Sequence, residues 1–326
     1  MINKKVNVSF IWGWTWSLNV LTGLRENENL NLAALISMAD SWGSAWILRD
    51  EFWILPPWDV RRAVLALSEE SFLMRRLFEY RFSKWWTASW HTIWNLLITA
   101  MTDIMWDFEK GLDWVAKMFR VKGKIIPITT DLSNLCVKLE NWEIIKWETN
   151  VDVPTHDPNL RIEEAYLEPA SMANPKAIST IENSDIIIIW PWDTYTSIVP
   201  NLLTEWIKDA LKNSQAKKVF FTNIMTKNWE TNWFWVEDFV DVIEKYIWTW
   251  VIDYVVVNNW YISEDLIQKY KDQEWKRPVK LRDKDFAKGK HYKVIERDLL
   301  HESDFVRHSS EKLASVINEI IEWWIK

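Results

Sequence analysis

The chain alternates short apolar runs with longer stretches in which apolar residues recur at helical spacing. The clearest run is Asp185-Ile-Ile-Ile-Ile189, as expected of a central parallel strand that is buried on both faces. This alternation is typical of βαβ units, so we predict an α/β, Rossmann-like fold whose mostly parallel sheet is flanked by helices. Strands are predicted at 6–11, 32–39, 124–128, 135–139, 161–167, 185–189, 218–223 and 254–257, and helices at 18–25, 60–82, 92–110, from about 199 to 213, 236–246 and 310–325.

No low-complexity linker interrupts the chain, and we expect a single domain over 1–326. Its nucleotide-binding core should extend to about 259, followed by a smaller, more charged and irregular C-terminal region from about 260 to 326. The locally basic stretch 276–297 is interpreted as a solvated face of a helix or loop.

The bulk composition excludes several classes of protein. A formal net charge of −7 argues against nucleic acid as the main partner. No apolar run approaches the roughly 18 residues of a membrane helix, so we expect neither a membrane span nor a signal peptide. Cys136 is the single cysteine, which excludes a disulfide scaffold and suits a cytoplasmic protein. The five histidines lack metal-ligand spacing, so no metal site is assigned.

Tryptophan and glycine occur in unusual proportions. The chain has 27 Trp and 6 Gly, whereas average usage of about 7 % predicts roughly 23 glycines. Tryptophan stands where turns normally need glycine, as in Pro57-Trp58 and Asn141-Trp142. We hypothesise that most of these tryptophans are glycines, because the organism reads UGA as glycine and the written translation reads it as tryptophan. A genuinely tryptophan-rich chain is the alternative. Such a tryptophan is called a glycine position below.

The first candidate ligand loop lies between the first predicted strand and the first predicted helix. Segment 10–17 reads F-I-G-G-G-T-G-S once glycine stands at its glycine positions. The backbone N–H groups of such a loop can approach a phosphate beside a helix N-terminus. Its spacing is not the dinucleotide pattern G-x-G-x-x-G. A tight strand-to-helix turn without a ligand is the alternative.

Three further polar loops carry candidate chemistry. Asp40 opens a loop that reads D-S-G-G-S-A-G, where doubly wound folds often hold a ribose; a helix-capping loop is the alternative. Asp59 and Arg61 stand at a predicted helix start, where Asp59 is equally well explained as an N-cap. His91 and Asn95 are four residues apart and share a helical face, although a lone histidine is more often structural.

The segments after two central strands are rich in hydrogen-bonding side chains. Segment 190–201 reads G-P-G-D-T-Y-T-S-I-V-P-N and places Asp193, Thr194, Thr196 and Ser197 at the carboxyl end of its strand. Segment 222–231, T-N-I-M-T-K-N-G-E-T, follows the next strand. Ligands of open parallel sheets bind at these strand ends.

Together these motifs resemble the family of 2-phospho-L-lactate transferase and the bacterial gluconeogenesis factors, and they look most like the gluconeogenesis-factor branch. The resemblance covers nearly the whole chain, and at least sixteen tryptophans fall on family glycines. Ser41 and Arg62 depart from the family pattern and could shift the preferred ligand. The motifs occur in family order: G-G-G-T-G, D-x-G-G-S-x-G, L-P-P-G-D-[IV]-R, Y-R-F, G-H-x-x-G-N, G-P-G-[SD]-x-Y-T-S-x-x-P-N and N-x-M-T-x-x-G-E-T.

The resemblance implies a cytoplasmic regulator of cell shape, cell-wall synthesis and central carbon metabolism that binds a nucleotide sugar of the UDP-sugar class. It leaves room for Mg²⁺ beside the nucleotide, for homo-oligomers and for protein partners from the cell-wall pathway, and it implies no nucleic acid. The candidate ligand-binding residues are Trp12, Gly13, Trp14, Thr15, Trp16, Ser17, Asp40, Gly43, Ser44, Arg49, Asp59, Arg61, His91, Asn95, Pro191, Asp193, Thr196, Ser197, Asn201, Asn223 and Thr226.

Two enzymatic functions remain open. A phospholactyl or phosphoryl transferase with a guanosine-nucleotide-linked donor would use Asp40, Asp59 or Asp193 to position a metal ion or an attacking hydroxyl. No acidic cluster is tight enough in sequence to assign a base. An NAD-dependent oxidoreductase would use the first loop and Asp40, but the glycine spacing is wrong and no acid or base for hydride transfer is evident.

Overall fold

The computed structural model describes residues 5–12, 17–39, 55, 58–69, 72–81, 91–153, 156–282, 289–301 and 305–325. Apolar runs in these ranges form two sheets. The strands are β1 (Val6–Trp12), β2 (Leu30–Ile36), β3 (Lys124–Pro127), β4 (Asn134–Leu139), β5 (Ile144–Lys146), β6 (Ile162–Glu168), β7 (Ile186–Ile189), β8 (Lys217–Phe221), β9 (Tyr254–Asn258) and β10 (Lys293–Arg297).

Helices cover both faces of the larger sheet. A π-helical turn, Thr194–Ile198, leads directly into one of them. In the described ranges the helices are α1 (Ser17–Leu24), α2 (Trp58–Leu67), α3 (Phe72–Glu79), α4 (Ile93–Met105), α5 (Phe108–Met118), α6 (Glu148–Asp152), α7 (Pro175–Glu182), α8 (Val199–Leu203), α9 (Ile207–Asn213), α10 (Val236–Ile247), α11 (Glu264–Glu274) and α12 (Ser310–Ile325).

The larger sheet has seven strands in the order β10-β9-β8-β7-β1-β2-β3, and every pairing in it is parallel. From β1 the chain builds outward through β2 and β3, and it then returns to the other side of β1 to add β7 through β10. The direction of winding therefore reverses between β1 and β7. This confirms the predicted Rossmann-like α/β class, and such a reversal is where open parallel sheets bind ligands.

Alternate side chains of the central strands enter two separate apolar layers. Phe10 of β1 and Ile188 of β7 pack into one layer, whereas Ile11 and Ile189 pack into the other. All four side chains are at most 1 % exposed. The uninterrupted apolar run of β7 is explained by this burial on both faces.

A small antiparallel sheet, in the order β5-β4-β6, is inserted between β3 and β7. Its apolar face, which includes Leu135 and Val137, packs against Tyr195 of the π-helical turn and Val199 of α8. The insertion therefore supports the segment that follows β7.

Three helices that were predicted as continuous are each divided in the structure. The helix predicted at 60–82 is divided into α2 and α3, because Ser68 leaves the helix to form a β-bridge with Val121. The helix predicted at 92–110 is divided at Trp106, which has a left-handed backbone (φ 53°), and Asp107 then caps α5. The helix predicted up to 213 consists of the π-helical turn, α8 and α9, with an extended Thr204 between the last two.

The C-terminal region is more regular than its composition suggests. β10 pairs with β9 at the edge of the larger sheet, so the interpretation of 276–297 as a solvated helix or loop face is wrong for that part. Helix α12 packs on α1, where the Cβ of Ala314 lies 3.5 Å from the position a Cβ on Gly23 would take. Strand β2 ends at Ile36, three residues before its predicted end, and β5, α6, α7, α11 and β10 were not predicted.

Candidate functional site

The carboxyl ends of β1 and β7 lie side by side. Ile11 is paired with Ile189, and the backbone N–H of Trp190 donates to the carbonyl of Ile11 at 3.4 Å. Strand β1 ends at Trp12 and α1 begins at Ser17, so the predicted phosphate loop joins a strand to a helix at this point. The sequence placed two candidate loops on separate strands, and the sheet topology makes those strands neighbours.

A cleft of about 480 Å³ opens at this edge of the sheet. It runs from the segment after β7, past the segment after β8, to the residues that precede α12. Polar and charged groups of both signs line it. They include Asp152, Asp193, Asn223, Thr226, Lys227, Glu274, Lys276, Arg307 and His308.

Lys227 is the centre of a buried charge cluster beside the cleft. Its Nζ lies 2.9 Å from Asp193 Oδ2 and 2.6 Å from Glu230 Oε1, and it also contacts Asp152 Oδ1. Burial alone would lower the pKa of Lys227, but the carboxylates of Glu230, Asp193 and Asp152 outweigh it and hold that pKa well above its usual value. The ammonium therefore stays charged at any physiological pH.

Glu230 is the deepest acid of this cluster. Its side chain is fully buried, its Oε2 accepts from the backbone N–H of Tyr195 at 3.1 Å, and its Oε1 accepts from Thr196 Oγ1 at 3.4 Å. Burial raises the pKa of Glu230 to about 7, although the Lys227 ammonium lowers it. Glu230 therefore fixes the start of the π-helical turn to the segment after β8.

The three carboxylates come from three different parts of the fold. Asp193 follows β7, Glu230 follows β8, and Asp152 ends α6, which belongs to the inserted region. One oxygen of each lies within 4.8 Å of one oxygen of the other two, a spacing that suits a cation. The Lys227 ammonium contacts all three, so this cation belongs to the chain itself.

His308 reaches the same cleft from the segment before α12. Its Nε2 lies 3.2 Å from the carbonyl oxygen of Thr222, at the end of β8. A carbonyl oxygen only accepts, so Nε2 carries the proton. Burial lowers the pKa of His308 to about 4, against the opposing effect of this hydrogen bond. His308 is therefore neutral at physiological pH.

Several predicted site residues organise the loops at this edge. Asn223 donates from Nδ2 to the carbonyl of Trp192 at 3.0 Å, which ties the segment after β8 to the segment after β7. Thr226 exchanges two hydrogen bonds with the backbone of Arg277. Asn201 is fully buried and donates to the carbonyl of Ser197 at 2.8 Å, inside the helical segment. Pro191 and Asp193 line the cleft.

A second predicted group is buried on the helices beside β2. Asp59, Arg61, His91 and Asn95 are all less than 9 % exposed. Burial, reinforced by the charge of Arg62, lowers the pKa of Arg61 to about 10. The carboxylate of Glu79 opposes this shift in the pKa of Arg61, and the charge of Arg81 adds to it. Arg81 forms a β-bridge with Thr92, which follows His91 in the chain.

Part of the predicted site lies outside the described residues, namely Gly13, Trp14, Thr15, Trp16, Asp40, Gly43, Ser44 and Arg49. For Trp12 and Ser17 the structure describes the backbone alone.

Sequence reasoning missed Lys227, Glu230, Asp152 and His308. The first two stand inside the quoted T-N-I-M-T-K-N-G-E-T motif, where a lysine and a glutamate three residues apart were a usable signal. Asp152 lies on a helix that was not predicted, and nothing in the chain places His308 beside Thr222, which is 86 residues away.

A larger cavity of about 980 Å³ lies at the opposite, amino edge of the sheet. It is lined by residues such as Asn7, Asn31 and Ser184, which stand at or before strand starts. In open parallel sheets the crevice created by a reversal of winding lies at the carboxyl ends of the strands, so the carboxyl edge is the better candidate despite its smaller volume.

In the described part of the chain, no helix is both long enough and apolar enough to cross a membrane.

Comparison with known proteins identifies relatives over nearly the whole length of the chain. The sequence profile described as 2-phospho-L-lactate transferase CofD matches residues 10–300. A protein of Aquifex aeolicus with the provisional name of gluconeogenesis factor is 37 % identical over 98 % of each chain. The gluconeogenesis factor of Bacillus subtilis is 30 % identical over 98 % of this chain and 100 % of its own. A crystal structure from Bacillus halodurans superposes with a TM-score of 0.89 at 32 % identity, over 97 % of this chain and 100 % of that one.

Proposed function

This chain belongs to the 2-phospho-L-lactate transferase CofD family, and we propose that it is a gluconeogenesis factor that binds a nucleotide sugar of the UDP-sugar class. The binding site is the carboxyl edge of the sheet, where β1 and β7 meet. The observation that carries the proposal is the cleft of about 480 Å³ at this edge, which is lined by the segments after β7 and β8, with β7 being the strand next to the reversal of winding.

The chemistry of the cleft suits a ligand that combines a diphosphate with polar rings. Arg307 supplies positive charge, and Lys276 supplies a second cation that pairs with Glu274 Oε2 at 2.5 Å. Guanidinium and ammonium groups are the usual partners of phosphate oxygens. Asn223, Thr226 and the acidic groups supply donors and acceptors for hydroxyls and a base. The loop between β1 and α1 would hold the diphosphate with backbone N–H groups at a helix N-terminus.

The output of binding is a change in partner or conformation rather than turnover. We place the protein in the cytoplasm, where it would regulate cell shape, wall synthesis and central carbon metabolism. The inserted small sheet is the element that could report occupancy, because Asp152 joins it to the charge cluster through Lys227. We propose that protein partners of the cell-wall pathway, or a second copy of the chain, bind the protein differently once the ligand is bound.

A phosphoryl or phospholactyl transferase is the second candidate. The observation that favours it is the group Asp152, Asp193 and Glu230, because carboxylates of this spacing hold Mg²⁺ together with substrate phosphates. The Lys227 ammonium already contacts all three carboxylates as a cation of the chain itself. For this reason the binding function is placed first.

A thermal-shift panel on the full chain, with glycine at the glycine positions, tests the choice. UDP-sugars, GDP, GTP and NAD are each added with and without Mg²⁺. The proposal predicts stabilisation by a UDP-sugar that is recovered intact. Stabilisation by a guanosine nucleotide with Mg²⁺, followed by group transfer, would replace the proposal with the transferase.

A pair of arginine variants tests the location of the site. Arg307→Ala removes a guanidinium from the cleft, whereas Arg282→Ala removes an exposed one that pairs with Asp238 outside it. A lost charge-assisted hydrogen bond to phosphate costs about 1.5–3 kcal/mol, so Arg307→Ala should weaken the ligand at least about tenfold. Arg282→Ala should leave the Kd unchanged. Equal effects of the two variants would place the ligand elsewhere.

A further inference from the structure

The backbone conformation at tryptophan residues is abnormal in this chain. Ten described residues other than glycine have a positive φ, and nine of them are tryptophan; the tenth is Arg120. A positive φ is rare for any residue with a Cβ, and bulky side chains are the least tolerated there. None of the ten is Asn or Asp, the residues that usually substitute for glycine. The nine are Trp106, Trp142, Trp147, Trp206, Trp229, Trp233, Trp248, Trp250 and Trp275.

The same tryptophans are also abnormally exposed. Eight of the nine have at least 44 % of their surface in solvent, and Trp106 reaches 91 %. Tryptophan is normally well buried on average because its indole gains most from leaving water. Exposure alone does not distinguish these nine, because Trp114 at 48 % and Trp260 at 52 % are comparably exposed without a positive φ. The left-handed backbone is therefore the observation that sets the nine apart.

Two of these positions occupy turns that are defined by a glycine. Trp142 closes the β4–β5 hairpin: its N–H donates to Leu139 O at 2.9 Å, and the N–H of Leu139 donates to Glu143 O at 2.9 Å. This is the three-residue hairpin whose last loop residue is left-handed. Trp106 ends α4 with a φ of 53°, and the N–H of the next residue, Asp107, donates to Thr102 O at 3.2 Å. A helix that ends in this way normally has glycine at the left-handed position.

We propose that these nine positions are glycine in the native protein, because its organism inserts glycine at the codon that is written as tryptophan. The composition suggested this for the chain as a whole. The positive φ is an observation independent of composition, and it identifies nine particular residues as glycine. The inference does not depend on the proposed function, since no ligand enters it.

The assignment has a direct consequence for the charge cluster. Trp229 has a φ of 76° and lies in the turn between Lys227 and Glu230. That turn places the Lys227 ammonium next to the Glu230 carboxylate. The backbone N–H of Lys227 donates to Thr231 Oγ1 at 2.8 Å. Glycine at 229 adopts this turn without strain. A glycine is therefore a positioning residue of the cluster.

Mass spectrometry of the native protein tests the proposal directly. Trypsin releases 139–146 (LENWEIIK) and 272–276 (DQEWK), which contain Trp142 and Trp275 as their single tryptophans. The proposal predicts the masses of LENGEIIK and DQEGK. Detection of either peptide with tryptophan as the sole species would overturn it.

Matched variants of the written sequence give a second test that needs no native material. Trp142→Gly and Trp275→Gly relieve a left-handed tryptophan, so each should raise the Tm by roughly 2 °C. Trp114→Gly is the control: Trp114 lies inside α5, where glycine costs helix stability, so its Tm should fall. A lower Tm for Trp142→Gly and Trp275→Gly, comparable to that of Trp114→Gly, would contradict the proposal.

Discussion

Lys227 and Glu230 form a buried ion pair across a single tight turn, with Nζ 2.6 Å from Oε1. The pair matters because it lies where three parts of the fold converge. Asp193, in the segment after β7, and Asp152, in the inserted region, both contact the Lys227 ammonium. One lysine thus joins the edge of the main sheet to the insertion.

Removal of this lysine should strongly destabilise the protein. Lys227→Met leaves three carboxylates close together without their cation, and breaking a buried pair in this way costs about 3–5 kcal/mol. Urea unfolding of the variant measures the loss. Lys122→Met is the matched control, because Lys122 forms exposed pairs with Glu26 and Glu69. Equal losses for the two variants would show that burial of the cluster does not matter.

Glu230 should make the protein less stable as pH rises. Its folded-state pKa is raised from 4.5 to about 7 by burial, so between these values the folded state binds a proton that the unfolded state has lost. The free energy of unfolding should therefore fall as pH increases from about 4.5 to 7. Glu230→Gln should remove this contribution. An unchanged pH profile in Glu230→Gln would contradict the assignment.

His308 should act in the opposite direction. Its folded-state pKa is lowered from 6.5 to about 4, so between these values the unfolded state binds the extra proton. The contribution of His308 to stability should be lost as pH falls from about 6.5 to 4. A difference profile of unfolding free energy against pH for His308→Gln checks this, with exposed His301 as the control position. The same slope change in His301→Gln would argue against a special role for His308.

The contact between helix α10 and the inserted sheet can be tested separately. The N–H of buried Ala165 in β6 donates to the hydroxyl of Tyr246 at 2.8 Å. Tyr246→Phe leaves that N–H without its acceptor, which should cost about 1–3 kcal/mol in unfolding free energy. Tyr261→Phe, at a position that is 69 % exposed, should be neutral. A neutral Tyr246→Phe would mean that this hydrogen bond does not contribute to holding the insertion in place.

Six of the seven strands of the larger sheet were predictable, because they are short segments rich in apolar residues, whereas β10 was not predicted. The four isoleucines of β7 are predictable without knowledge of tertiary contacts, since burial on both faces imposes that composition. The placement of the candidate loops at the carboxyl ends of their strands also followed from the polar segments after those strands, whereas the order of the strands in the sheet was not predicted. The family motifs indicated which of these loops are candidate ligand-binding loops.

The divided helices and the charge cluster were not predictable. The break at Trp106 gives no turn signal when the residue is written as tryptophan, although the backbone there is the one glycine favours. Asp152 and His308 reach the cleft through contacts between segments 75 and 86 residues apart. Local patterns do not encode such distances, so sequence alone gave no reason to choose these residues.

Hydrogen exchange of the full chain, with glycine at the glycine positions and with and without a UDP-sugar, locates the binding site. If the nucleotide sugar binds at the carboxyl edge, it should protect amides at 190–197, 222–231 and 305–308, which border the cleft there. Amides at 27–33 and 179–184, which border the amino-edge cavity, should exchange at the same rate with and without ligand. Protection confined to the amino edge, or no protection at either edge, would show that the carboxyl edge is not the UDP-sugar site.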